Sequence, residues 1–207
     1  MDLMLNLTQK QLGGVMIATR DSDLYFTPEE YFAWEEQQLE KHELIDGYVC
    51  AMTGGTRNHS DIAGNFLSIV KPHLRGSGCK TYNSDCRVNI LDTSNYIYPD
   101  LSVTCDSRDT FSTQYITYPC LIVEVLSNST EACDRGKKFE KYRRNPNLVD
   151  YVLVSSDEMA IDIYHKNATS EWVILSYREG DRVELKSINL SLPIEQVYEE
   201  IVFDTQP

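Results

Sequence analysis

This chain of 207 residues has no apolar stretch approaching the ~20 residues that a bilayer crossing requires, which argues against a helical membrane span. Its first ten residues, Met1 to Lys10 (MDLMLNLTQK), lack the charged start and unbroken apolar core of a signal peptide, so a cytoplasmic protein is expected. None of its six cysteines (Cys50, Cys79, Cys86, Cys105, Cys120 and Cys133) forms a CxxC pair, and only four histidines accompany them. A zinc site is therefore not expected, and the cysteines read as packed or idle thiols. Gly54-Gly55 lacks the Gly-Lys-Ser/Thr ending of a phosphate loop and reads as a turn. Ser127 has no Ser-His-Asp order around it to make it a nucleophile. Positive charge is also scarce: 19 Lys and Arg against 32 Asp and Glu leave a net charge of −13. That balance argues against a broad electrostatic surface for nucleic acid, because neutralising phosphate needs Lys and Arg.

The 42% hydrophobic content is that of a globular chain, long enough to bury a substantial core. Residues 1–22 have weak periodicity and a Gly13-Gly14 break, and read as a loose extension in which Met16 could serve as an alternative start, a point the sequence does not decide; 23–207 read as one domain. Thr27-Pro28-Glu29-Glu30 is a helix start, with a cap, a proline at the first position and acids in the first turn. The helix is expected to run to about Lys41, with Tyr31, Phe32, Trp34 and Leu39 on its apolar side. Asp46-Gly47 between strand-like residues predicts a hairpin. Asn58 to about Leu74 carries Ile62, Phe66, Ile69, Val70 and Leu74 near a helical period, closed by Gly76-Ser77-Gly78. Strands are expected at about 79–91, 97–104 and 120–126, then a helix over 130–144, then strands at 151–154, 161–164, 172–175 and 182–185. Pro193 opens a final short helix with Val197 and Ile201 four apart. This order describes a mixed α/β domain.

Two acids stand out against this background. Glu124 lies inside Cys120 to Leu126 (CLIVEVL), a continuous apolar run bounded by Pro119 and a polar loop, as in a strand covered on both faces. An unpaired carboxylate there costs several kcal/mol, so it needs a cation, a proton or good hydrogen bonds. Asp100 has a similar setting, between Pro99 and the apolar Leu101-Ser102-Val103. Carboxylates on two neighbouring strands offer hard oxygen ligands to Mg²⁺ or Mn²⁺. Glu43 is a third candidate acid. Lys138 is the candidate cation, four residues after Asp134 and four before Tyr142 on one helix face. The plainer readings are a strand-end cap for Asp100, a paired core acid for Glu124, a solvated residue for Glu43 and an ordinary helix ion pair for Asp134 and Lys138. His59 could act as a base but reads better as a helix-start residue that caps or packs. Asp85 and Arg87 alternate on an expected strand and either line the site or pair at the surface. Tyr31, Trp34, Tyr142 and Tyr151 read as core.

Taken together, Tyr98-Pro99-Asp100, Ile122 to Ser127 (IVEVLS), Asp134 to Tyr142 (DRGKKFEKY) and Asn147 to Val154 (NLVDYVLV) resemble the Uma-two family of endonucleases. Glu43 to Gly47 (ELIDG) and Asn58-His59 fit its N-terminal half, and the resemblance covers about residues 24–202. The family belongs to the restriction-endonuclease-like superfamily. The resemblance implies a mixed central sheet flanked by helices and metal-dependent phosphodiester hydrolysis, with Asp100 and Glu124 as metal ligands and Glu43 matching an acid at the end of the first helix. The superfamily's lysine belongs on the strand, two residues after the acid. Here that position is Leu126, and Lys138 matches the family's helix lysine.

The leading expectation is a Mg²⁺- or Mn²⁺-dependent DNA endonuclease, with phosphates drawn in by residues 135–144, which carry six cations and one acid. A homodimer is expected, because duplex cutting needs two nicks and most oligomers are two-fold symmetric. Two alternatives stand beside it: a non-catalytic interaction protein on a nuclease fold, favoured by the net charge and Leu126, and a metal-dependent hydrolase of a smaller phosphate ester.

Overall fold

Thr27 opens the first helix through a reciprocal cap. Its hydroxyl accepts from the Glu30 amide at 3.3 Å, and the Glu30 carboxylate accepts from the Thr27 amide at 2.9 Å. The computed structural model describes residues 25–52, 54–91, 94–127 and 131–203; the extension expected over 1–22, with Met16, lies outside them. Helix α1 (Pro28–Glu35) stops well short of Lys41. Gln37 and Gln38 turn their amides back onto the Ala33 and Trp34 carbonyls. Glu35 is drawn inward to accept from the His42 main chain at 2.9 Å, with the His42 ring at 3.1 Å. Leu39, expected on the apolar side, is fully exposed.

The hairpin at Asp46-Gly47 forms as read, joining β1 (His42–Ile45) to β2 (Tyr48–Ala51). Both turn residues have positive φ, 54° and 82°, as a two-residue hairpin turn demands. Helix α2 (Arg57–His73) follows, capped by the Thr56 hydroxyl.

The next strands divide where the sequence suggested continuous runs. Residues 79–91 give β3 (Lys80–Asn83) and β4 (Arg87–Asn89), which belong to different sheets. They are separated by a turn in which Asn83 binds the Asp85 and Cys86 amides. The stretch 97–104 likewise gives β5 (Tyr96–Ile97) and β6 (Leu101–Thr104). Pro99 has no amide to extend a ladder, so the chain leaves one sheet at Ile97 and enters the other at Leu101. The loop before the acidic strand carries a short strand, β7 (Tyr115–Ile116), and then β8 (Pro119–Leu126) begins. A helical segment, α3 (residues 131–142), crosses over to β9 (Asp150–Ser155), which runs parallel to β8. Strands β10 (Ala160–Lys166) and β11 (Trp172–Arg178) complete the sheet, and β12 (Arg182–Leu185) pairs with β13 (Leu190–Pro193). Pro193 therefore ends a strand, and the helix expected after it is only a 3-10 turn, Ile194–Gln196. No helix among the described residues is long and apolar enough to cross a membrane.

The large sheet runs β11-β10-β9-β8-β6-β3 and the smaller one β2-β1-β5-β4-β7. On one face of the large sheet, Leu121, Val123 and Val125 pack with Ile62, Phe66 and Val70 of α2 and with Val183 and Leu192 of the β12–β13 hairpin. On the other face, Ile122 and Leu126 pack with Tyr142 and Tyr151 and with Val88, Ile97 and Ile116 of the smaller sheet. Strand alternation puts Glu124 on this second face, between Ile122 and Leu126. The strand is thus covered on both sides, and the mixed α/β expectation holds.

The cysteines depart from the reading of packed or idle thiols. Cys79 and Cys105 form a disulfide. Cys spacing alone does not define connectivity, and the pair arises because Lys80 of β3 lies opposite Thr104 of β6, one residue inward from each cysteine.

Candidate active site

Strands β6 and β8 run antiparallel with Leu101 opposite Val123. One residue further along, Asp100 and Glu124 come together at the end of β6. Asp100 is fixed by main chain and side chain at once: its Oδ2 accepts from the Val125 amide at 2.7 Å and lies 3.2 Å from Nε2 of His59. Asp100 thus caps a β8 amide, as its plainer reading held, while sharing the site with Glu124.

Lys138 reaches Glu124 from an irregular stretch of α3. Residues Asp134–Lys138 are π-wound, between α-helical Glu131–Cys133 and Phe139–Tyr142. Such wide turns recur at functional sites. The Lys138 ammonium lies 3.3 Å from Glu43 Oε1, 3.4 Å from Glu124 Oε1 and 3.3 Å from Asp134 Oδ1. Two tyrosines read only as core close the cluster. The Tyr142 hydroxyl donates to Glu124 Oε1 at 3.4 Å, and the Tyr151 hydroxyl donates to the Asp134 carbonyl at 2.9 Å. Glu43 is a buried β1 residue, not a solvated one at a helix end, and its Oε1 also accepts from the Tyr98 amide at 3.1 Å.

Charge in this pocket is unbalanced. Glu43, Glu124 and Asp134 are all buried and share one ammonium. Burial, followed by the charges of Asp134, Asp100 and Glu43, pushes the Glu124 carboxyl well above its usual 4.5, against the pull of Lys138. Burial alone would lower Lys138, but Glu124, Glu43 and Asp134 outweigh it and hold the ammonium well above its usual 10.5. Asp134 Oδ1 is buried and faces the ammonium without a directed hydrogen bond. Among the described residues, no three acid, histidine or cysteine side chains already converge as a metal cage. The donor set instead fits an ion that keeps several waters and takes one or two carboxylates, as Mg²⁺ does.

Several sequence candidates lie elsewhere. Asp85 pairs with Lys41. Arg87 lies 3.8 Å from Glu35 and over the rings of Tyr31, Phe32 and Tyr98. Of the cations in 135–144, Arg135 is committed to Glu131 and Asp162, Lys141 to Asp46, and Lys138 to the acids. Lys137, Arg143 and Arg144 are exposed and form no ion pair among the described residues. The basic face is thus half the size its composition suggested.

His59 is neither the cap nor merely packed. Thr56 caps the helix and binds the His59 amide at 3.2 Å, while the ring turns to Asp100. Burial alone would lower this imidazole, but the Asp100 hydrogen bond prevails and holds it above the usual 6.5. Gly55 makes room for the ring: a Cβ there would stand 2.8 Å from His59 Cγ and Nδ1. A Gly55→Ala variant is therefore expected to swing the ring off Asp100. Histidine titration followed by NMR should then show the His59 pKa falling towards its ordinary value; an unmoved titration would mean that the ring tolerates the methyl group.

Residues 28–195 match the Uma2 family, whose description is "Putative restriction endonuclease". Two proteins of Synechocystis sp. without an assigned function are similar. The protein slr1290 is 54% identical over 177 residues, covering 86% of this chain and 93% of its own. The protein sll1609 is 31% identical over 162 residues, covering 77% and 91%. The crystal structure of "a putative nuclease belonging to DUF820" from Anabaena variabilis superposes with a TM-score of 0.71 at 16% identity, covering 86% of this chain and 99% of that one. The two share a fold.

Proposed function

The chain belongs to the Uma2 family, and from that premise we propose a metal-dependent endonuclease that hydrolyses DNA phosphodiester bonds. The observation that carries this reading is the excess of negative charge where β6 meets β8: buried Glu124, Glu43 and Asp134 around the ammonium of Lys138, with the half-buried Asp100 beside Glu124. A fold stabilised by its own ion pairs alone would have no use for the surplus carboxylates.

Asp100 and Glu124 would hold Mg²⁺ or Mn²⁺, which when bound lowers the pKa of a coordinated water and stabilises charge on a phosphoryl oxygen. Asp100 is held ready by the Val125 amide and His59. Lys138 is too strongly held as an ammonium to accept a proton at neutral pH. Its role is that of a fixed positive charge, donating hydrogen bonds towards the attacking water or the developing phosphorane. Glu43 keeps that ammonium aimed, and is itself fixed by the Tyr98 amide. Lys137, Arg143 and Arg144 supply the local attraction for backbone phosphates that the net charge of −13 withholds elsewhere. Two copies related by a two-fold axis would deliver the two nicks of a duplex cut.

The test is nicking of supercoiled plasmid in Mg²⁺ or Mn²⁺, with and without EDTA, by the wild type and by Asp100→Asn. Metal-dependent cutting by the wild type that is lost in the variant is expected. Cutting that survives in the variant would place the activity elsewhere. Cleavage of bis(p-nitrophenyl) phosphate without plasmid nicking would favour the small-ester hydrolase, and no turnover of either substrate would favour the interaction protein.

A further inference from the structure

At the end of β6 and β8 away from the acids, three sulfurs meet. The Cys79–Cys105 disulfide ties the entry of β3 to the exit of β6. The thiol of Cys120, on β8, lies 3.8 Å from the Cys105 sulfur. A β-bulge puts it there. Val103 pairs with Leu121, but the next residue, Thr104, pairs with Pro119, so Cys120 is an extra residue on β8 without a partner across the ladder. Bulges re-aim a side chain in this way. The Cys120 thiol also donates to the Val103 carbonyl at 3.4 Å, which holds it beside Cys105. Cys105 is exposed and lines an open cleft of about 500 Å³ together with Lys80, Tyr82 and Asp106.

We propose that Cys79, Cys105 and Cys120 form a thiol–disulfide exchange centre in which Cys79 and Cys120 alternate as the partner of Cys105. Cys120 gives its proton to solvent, and its thiolate attacks the Cys105 sulfur. The Cys105–Cys120 bond forms as the Cys79–Cys105 bond breaks, and Cys79 leaves as a thiolate that takes up a proton. Nothing is oxidised or reduced overall, so the step needs no co-reactant. Burial pushes the Cys120 thiol up to about 11, so only a small fraction is thiolate near neutral pH and the exchange is slow. The two forms brace different strands: one ties β3 to β6, the other ties β6 to β8, the pair that also carries Asp100 and Glu124. This centre is independent of the proposed nuclease activity.

Thiol trapping with N-ethylmaleimide after an acid quench, followed by non-reducing peptide mapping of the full chain, tests it. In the wild type, linked peptides 79–105 and 105–120 should both be found, with the label divided between Cys120 and Cys79. Mild oxidation with diamide should close Cys105–Cys120 within single chains in most molecules of Cys79→Ser, and Cys79–Cys105 in Cys120→Ser. The proposal is overturned if diamide closes the 79–105 pair in Cys120→Ser but leaves Cys105 and Cys120 both alkylated in Cys79→Ser. It is equally overturned if the wild type, which needs no substitution to fold, yields no 105–120 peptide after prolonged incubation at mildly alkaline pH.

Discussion

A Lys138→Met variant is expected to lose about 3–5 kcal/mol of folding stability near neutral pH, the usual cost of leaving buried charge without its partner. Among the described residues, Lys138 is the cation within 4 Å of Glu43, Glu124 and Asp134, all of them buried. Against a typical total of about 5–15 kcal/mol, such a loss should be plain in a urea titration. The deficit should also depend on pH, in a direction the titrations fix. Glu124 already has its carboxyl raised above the usual 4.5 by burial, and removing the ammonium raises it further. A carboxyl raised in the folded chain favours folding below its unfolded value, and that contribution is lost as pH climbs through the folded one. The gap between variant and wild type should therefore narrow as pH falls and Glu124 takes up its proton in both. Adding Glu124→Gln to Lys138→Met should restore part of the loss, because one of the stranded charges is gone. Restoration separates an electrostatic origin from lost packing of the lysine stem, which the second substitution would not repair.

Glu124 is legible in the sequence because a carboxylate inside CLIVEVL has no inexpensive place on a sheet buried on both faces. Lys138 is legible as a cation on the helix after that strand, although only the folded arrangement shows that it reaches three acids. Leu126, where the strand lysine of related folds would stand, packs with Tyr142, Tyr151 and Leu153. The remaining parts of the site carry little sequence signal. The amides of Tyr98 and Val125, which fix Glu43 and Asp100, belong to every residue type except proline. Tyr142 and Tyr151 read as core because they are core; their hydroxyls act at the site while their rings fill the second face of the sheet. The paired sheets were hidden for a related reason. Apolar alternation marks a strand but not the sheet it joins, so β3 and β4, and likewise β5 and β6, merge into single runs unless Asn83 and Pro99 are read as crossings. The contact between His59 and Asp100 joins α2 to β6, and no local pattern encodes it.

Glu124→Gln is expected to separate function from stability in opposite directions. The amide keeps the shape of the side chain but not its charge, so it would forfeit one of the two carboxylates proposed to hold the metal. The loss of metal-assisted charge stabilisation is worth several kcal/mol, or plasmid nicking slower by about 10³-fold or more. The same substitution leaves Lys138 with Glu43 and Asp134 beside it, so no cation is stranded, while one member of a crowded acidic set is neutralised. Folding stability should therefore hold or rise, by about 1 kcal/mol or more. The gain should be smallest at acid pH, where wild-type Glu124 holds its proton, and should grow as pH rises through the range above 4.5 in which the wild-type group ionises. Urea titrations at pH 5 and pH 8, together with Mn²⁺ binding by calorimetry, read both halves. A variant that binds Mn²⁺ less well and is more stable at pH 8 would mark Glu124 as an acid held in place for function at a cost to the fold. A variant destabilised at both pH values would make Glu124 an ordinary structural partner of Lys138, and the reading of the pocket as a site with surplus charge would fall with it.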